Sequence, residues 1–143
     1  MKFRTLCGLS AVALTTFVGA ATAHADPRGL WLAQDGAKVR VASCGKALCG
    51  KIAVAKSPTN PDTGQPWTDK DNPDPRLRDR PVVGIEVFIS MMPDGQGKWT
   101  GELYNINGGQ TVPGHLYDID AKTLKVEGCA GNLCGSQNLT RLE

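Results

Sequence analysis

Histidine is nearly missing from this chain. His24 and His115 are its only two, and the first falls in a leader that we expect to be removed. A hydrolase with a histidine base would rest on His115 alone, and no serine stands in a recognisable nucleophile context. G-x-S-x-G, the P-loop, H-E-x-x-H and a G-x-G-x-x-G strand-to-helix turn are all absent. Their absence removes the familiar acyl-transfer, phosphate-binding, zinc-protease and dinucleotide signatures. After residue 25 no apolar run is long enough to cross a bilayer as a helix, so no transmembrane segment is expected. Helical periodicity is also scarce, which leaves β structure as the main reading.

The first 25 residues read as a secretory signal peptide. Lys2 and Arg4 give a positive start, Leu9 to Ala23 form a short apolar run, and Ala23-His24-Ala25 has the shape cut by signal peptidase, with cleavage after Ala25. The expected location is therefore periplasmic or secreted. Removal takes two of the sixteen basic residues and none of the fourteen acidic ones, so the remaining domain, 26–143, has no formal net charge. A nucleic-acid binder carries a basic footprint, and none is present, so no nucleic-acid partner is expected.

Short β-branched and aromatic runs alternate with Gly, Pro, Asn and Asp. They predict strands near 29–33, 38–44, 49–55, 82–91, 98–104, 114–119, 123–129 and 134–142. Eight strands in series give an all-β domain. An antiparallel up-and-down barrel is the preferred layout, with a sandwich as the alternative.

Cys44, Cys49, Cys129 and Cys134 remain after the leader. In an oxidising compartment an even count reads first as disulfides. Each pair sits across the end of what looks like a β-hairpin, which predicts Cys44–Cys49 and Cys129–Cys134. If Cys44 opposes Cys49, then Val41 opposes Ile52 and Val39 opposes Val54. If Cys129 opposes Cys134, then Leu124 opposes Leu139 and Lys125 meets Asn138 on the other face. A four-cysteine zinc site is the alternative. C-x4-C twice departs from the usual finger spacing, so no metal is expected there.

Lys56 to Pro81 holds six of the nine prolines and admits no regular strand. A loop of this length in a small domain is usually functional or mobile. Asp69, Asp71 and Asp74 raise the question of calcium, since hard cations want several carboxylates. The glycine and distal glutamate of an EF-hand are missing, and Pro73 and Pro75 stiffen the segment. A turn-rich solvated loop is the plainer reading, and no cofactor is expected.

At the ends, Gly29-Leu30-Trp31 opens the first strand and Arg141 lies in the last. A closed barrel makes those strands neighbours, so Arg141 is expected to stack over the Trp31 ring and help close the barrel. Val83, Ile85, Val87, Ile89 and Met91 alternate with Gly84, Glu86, Phe88 and Ser90, and Trp99, Gly101 and Leu103 share one parity. An eight-stranded barrel is just wide enough to fill itself or to hold one small ligand.

Taken together these pieces resemble the secreted bacterial domain-of-unknown-function family 2147. Gly29-Leu30-Trp31, Cys44, Leu48-Cys49-Gly50-Lys51-Ile52, Asp71-Asn72-Pro73-Asp74, Arg80-Pro81, Trp99-Thr100-Gly101, Tyr104, Gly128-Cys129 and Thr140-Arg141 carry the resemblance. It implies a lipocalin-like (calycin-type) barrel with no established activity and no catalytic residues to carry over. Lipocalin-like barrels typically carry small apolar molecules.

The expectation is a non-enzymatic binding protein that carries a small hydrophobic ligand. Val83, Ile85, Val87, Ile89, Trp99 and Leu103 are expected to line its cavity, with the loop around Trp67, Asp69, Asp71, Asn72, Asp74 and Arg80 as a lid. The alternative is a protein-interaction or inhibitor module with a filled barrel. Its partner would be met by the 56–81 loop through Trp67, Asp69, Asp71, Arg76 and Arg80. Interior volume separates the two.

Overall fold

The computed structural model describes Gly19 and residues 24–143. The expected leader thus lies outside the described residues, save for Gly19, His24 and Ala25. The alternating runs become eight strands: β1 (Gly29–Leu32), β2 (Lys38–Cys44), β3 (Ala47–Val54), β4 (Glu86–Pro93), β5 (Lys98–Asn105), β6 (Gln110–Asp120), β7 (Thr123–Ala130) and β8 (Leu133–Arg141). Each pairs antiparallel with the next, and β8 meets β1, giving a closed up-and-down barrel and excluding the sandwich. The seam is short: Trp31 pairs with Arg141 and Leu32 with Thr140.

The β7–β8 register is the expected one, with Cys129 opposite Cys134, Leu124 opposite Leu139 and Lys125 opposite Asn138. The β2–β3 register is two residues away from expectation. Cys44 faces Ala47, Ala42 faces Cys49, Val41 faces Gly50, Val39 faces Ile52 and Lys38 faces Val54. The cause is the turn. Gly45 takes a φ of 66°, which lets Gly45-Lys46 close the hairpin as a two-residue loop. A two-residue slip leaves every side chain on its own face. Both disulfides therefore form on the outer wall. Cys44–Cys49 runs diagonally, with Cα atoms 5.8 Å apart, and Cys129–Cys134 joins a directly opposed pair at 4.1 Å. Because successive strands reverse direction, the two bridges lie at opposite ends of the barrel.

Two strands depart from the predicted ranges by more than two residues at one end. β6 starts at Gln110, four residues before the expected 114, directly after a turn over 106–109. Pro113 is tolerated because β7 pairs with β6 only from Gly114 onward, so no ladder bond on that side is lost. β4 starts at Glu86, not 82, because Val82 to Ile85 form a turn with Ile85 N–H bonded to the Val82 carbonyl at 3.1 Å. β4 is also bulged. Gly50 pairs with Phe88 and Lys51 with Glu86, leaving Val87 extra. Leu48 pairs with Met91, leaving a second irregularity at Ile89 and Ser90, where Ser90 has a φ of 49°. Each extra residue breaks the period of two. Gly101 makes room for the second bulge: a Cβ there would lie 2.7 Å from the Met91 sulfur.

The interior has two layers. Trp31, Val41, Leu48, Met91, Leu116 and Leu124 pack near one end and are all buried. Burying each large side chain contributes about 1.5–3 kcal/mol. Trp31 is 1% exposed. Its indole N–H donates to the Pro27 carbonyl at 2.8 Å, and the Arg141 guanidinium carbon lies 4.2 Å from its ring centroid. Arg141 also donates to the carbonyls of Ala121 at 2.7 Å and Arg28 at 2.8 Å, and to that of Asp26. This floor seals one end. Nearer the other end, Val39, Ile52, Val87, Phe88, Val126 and Leu139 form the second layer, and above them the barrel is open.

Candidate functional site: the mouth cavity

The open end holds a cavity of about 600 Å³. That lies within the roughly 300–1,000 Å³ typical of small-molecule sites. Its depth is apolar, walled by Val39, Ile52, Val87, Phe88, Leu103, Val112, Val126 and Leu139. Small residues widen it on one side: Gly128, Ala130 and Gly135 bring no bulk into the lumen. Its rim is polar, with Asp35 on the β1–β2 turn, Asn105 and Asn107 after β5, and Ser136 and Gln137 on β8. β8 runs well past the end of β1, so Leu133 to Asn138 have β7 on one flank and no strand on the other. All six are exposed, and Leu133, at the tip, is 80% exposed. The Cys129–Cys134 bridge clamps this tip, and Cys134 itself reaches the cavity wall.

Of the six residues expected to line the cavity, Val87 and Leu103 do so. Val83 does not: it is 53% exposed, while Val82 and Ile85 on either side are buried, because the turn before β4 breaks the alternation. Ile85 and Ile89 line a separate groove of about 340 Å³ with Asn72, Arg80 and Tyr104. For Ile89 the bulges of β4 explain the change of face. Trp99 is on the inner face, opposite Leu116, but β5 runs from floor to mouth and its first residues lie in the packed layer. Phe88, Val126 and Leu139 are wall residues that the sequence reading missed. The alternation in β7 and β8 carried the signal for two of them; Phe88 gave none, since only the bulge turns it inward.

The 56–81 loop is more ordered than its composition implies. Asp69 is fully buried. Its carboxylate accepts from the Tyr104 hydroxyl at 2.6 Å, from the Asn72 amide at 2.8 Å and from Arg80 Nε at 2.9 Å. Asn72 also donates to the Tyr104 oxygen at 3.1 Å. Burial, with the Asp69 carboxylate second, pushes the Tyr104 phenol above its ordinary value. Since Tyr104 is on β5, this cluster ties the loop to the barrel wall. Gly109 completes the fit, since a Cβ there would overlap the Asp71 carbonyl. Trp67 packs against the core beside the mouth, its indole N–H donating to Ser57 Oγ at 2.9 Å and Lys56 Nζ lying 4.1 Å from the ring centroid. It walls a small cleft that shares Asp35, Ala37, Ile52, Ile106 and Asn107 with the cavity, and it does not line the cavity itself.

The three loop carboxylates do not converge. Asp69 pairs with Arg80 at 2.8 Å, Asp71 with Lys70 at 2.9 Å and Asp74 with Arg76 at 2.8 Å. Hydrogen bonds from Arg76 hold the Asp74 carboxyl below its ordinary range. Asx-type turns shape the segment, with Asp74 N–H on Asn72 Oδ1 at 2.9 Å and Arg76 N–H on Asp74 Oδ1 at 3.0 Å. No group of three or more potential metal ligands occurs among the described residues.

His115 is on the outer face of β6, between inward Gly114 and Leu116. Its Nδ1 is 3.0 Å from Thr100 Oγ1, which lies 2.7 Å from Asp94 Oδ2. The Thr100 hydroxyl has one proton to give; donated to Asp94, it leaves the oxygen to accept from His115. That bond from Thr100, followed by the charge of Lys98, lowers the Asp94 carboxyl below its ordinary range. Among the described residues no helix is long and apolar enough to cross a membrane.

The fold is shared with a solved structure described as protein HP1028 from the human pathogen Helicobacter pylori, which belongs to the lipocalin family. The two superpose with a TM-score of 0.70 over 83% of this chain and 84% of that one, at 18% sequence identity. No curated protein gives a significant match. Residues 29–141 match the family described as uncharacterized protein conserved in bacteria (DUF2147), and the chain belongs to it.

Proposed function

We propose that this protein is an exported carrier that holds one small apolar molecule in the barrel, the molecule entering through the open end. The observation that supports this reading is the cavity of about 600 Å³ with an apolar depth and a polar rim. Burial of the ligand would supply affinity at roughly 25 cal/mol per Å² of apolar surface, and the rim amides would meet its polar end. The two disulfides favour an oxidising compartment, periplasmic or extracellular. A filled barrel acting through the 56–81 loop is the weaker alternative, because the second interior layer leaves room above it. Val87 and Leu103 remain in the proposed wall, joined by Phe88, Val126 and Leu139. The loop flanks the mouth, anchored through Asp69.

The test is native mass spectrometry of the protein purified from the periplasm, followed by organic extraction. A stoichiometric apolar compound is the expected result. An empty protein that has no affinity for neutral apolar dyes would overturn the carrier reading.

A further inference from the structure

Among the described residues the cavity has an apolar interior and one charged side chain on its surface, and that charge is negative. Asp35, at the rim, is the one ionic residue of the wall among the described residues. The other polar side chains there are the neutral amides of Asn105, Asn107 and Gln137 and the hydroxyl of Ser136, while the Tyr104 hydroxyl is held by Asp69 and Asn72. Two cations, Lys56 and Lys70, stand in the adjoining cleft, and each is engaged there. Lys70 Nζ lies 2.9 Å from the Asp71 carboxylate, and Lys56 Nζ sits over the Trp67 ring. Arg80 is turned to Asp69 and borders the outer groove.

An ionised group moved out of water without a counter-charge is strongly disfavoured, whereas a hydroxyl or amide needs only hydrogen bonds. A carboxylate or phosphate headgroup at this rim meets no cation in the cavity wall and one like charge. A neutral hydroxyl or amide finds three side-chain amides; the Asn105 and Gln137 oxygens each accept one backbone N–H and keep a second lone pair. An ammonium finds Asp35. We infer that the ligand class is a neutral or cationic single-headed amphiphile, and that the site discriminates against fatty-acid-like anions with the same hydrocarbon part. This inference rests on the carrier reading and adds the sign of the headgroup to it.

The experiment uses three compounds with one hydrocarbon chain, laurate, lauramide and laurylamine, each displacing the neutral dye N-phenyl-1-naphthylamine from the mature protein near neutral pH. Lauramide and laurylamine should bind at least about tenfold more tightly than laurate, a difference of about 1.4 kcal/mol. Asp35 accepts the Ala37 N–H at 3.0 Å, a bond that Asp35→Asn retains. That variant should bring laurylamine down to the affinity of lauramide and narrow the penalty on laurate. Laurate binding as tightly as lauramide would overturn the charge selectivity and leave the carrier reading standing. Failure of the dye and all three compounds to bind would remove the carrier reading, and this inference with it.

Discussion

The floor and the mouth of this barrel are made by the same eight strands and differ in nearly every physical respect. At the floor, Trp31, Met91, Leu116 and Leu124 are each at most 1% exposed, and Arg141 binds the carbonyls of segments far apart in sequence. At the mouth, six consecutive residues of β8 are exposed and the lumen is open. The difference comes from side-chain size and from the lengths of β1 and β8. Large residues fill the first layer, while the short β1 and the glycines and alanines of β7 and β8 leave the upper end unfilled. Stability is thus concentrated at one end, and room for a ligand at the other.

Trp31→Ala should give the largest effect. Removing a fully buried tryptophan costs about 3–5 kcal/mol, and Arg141 loses a cation–π contact contributing about 0.5–2 kcal/mol. Leu133→Ala at the mouth should stay within about 0.5 kcal/mol of the parent. Urea titration of both variants decides it, and comparable losses would break the contrast between the two ends.

The disulfides sharpen it further. Both close loops of the same sequence separation, 5, so the chain-entropy model assigns each about 2 kcal/mol. Paired serine replacements should therefore cost similar stability in urea. Only loss of Cys129–Cys134 should also weaken uptake of a neutral apolar dye, because that bridge clamps the rim. Equal effects on uptake would place the ligand elsewhere than the mouth.

The smallest effect concerns pH. The Tyr104 phenol is raised in the folded state by burial and by Asp69. The folded protein thus holds that proton more tightly than the unfolded chain. Its contribution is complete below the ordinary phenol value of 10.0 and falls as pH rises above it. Tyr104→Phe should flatten that alkaline decline, measured by thermal unfolding across the range. An unchanged slope would show that the loop is not held through Tyr104.

Much of this was legible in the sequence, and the failures are instructive. Alternation gave the strands, cysteine spacing gave both bridges, and strand order placed Arg141 over Trp31. The β2–β3 register slipped because Gly45 permits a tighter turn than the cysteine pair implied. The cavity wall failed at β4, where two bulges and a turn break the period that the reading relied on. Asp69 illustrates a different limit. It sits among acidic, proline-rich neighbours that read as solvated, and its burial depends on Tyr104, a partner 35 residues away. No local pattern encodes such a contact.

The seam carries a consequence for how the protein may be altered. Seven of the eight ladders join consecutive strands, while the last joins residue 31 to residue 141. Chain ends are usually the most forgiving place to trim or tag a domain. Here residues 141–143 belong to the base of the molecule: Arg141 binds three distant carbonyls, and Leu142 N–H bonds to the Leu30 carbonyl at 2.7 Å. A truncation before Leu139 would open the barrel along its length, and the tolerant positions are the exposed hairpin tips around Gly95 and Gly131.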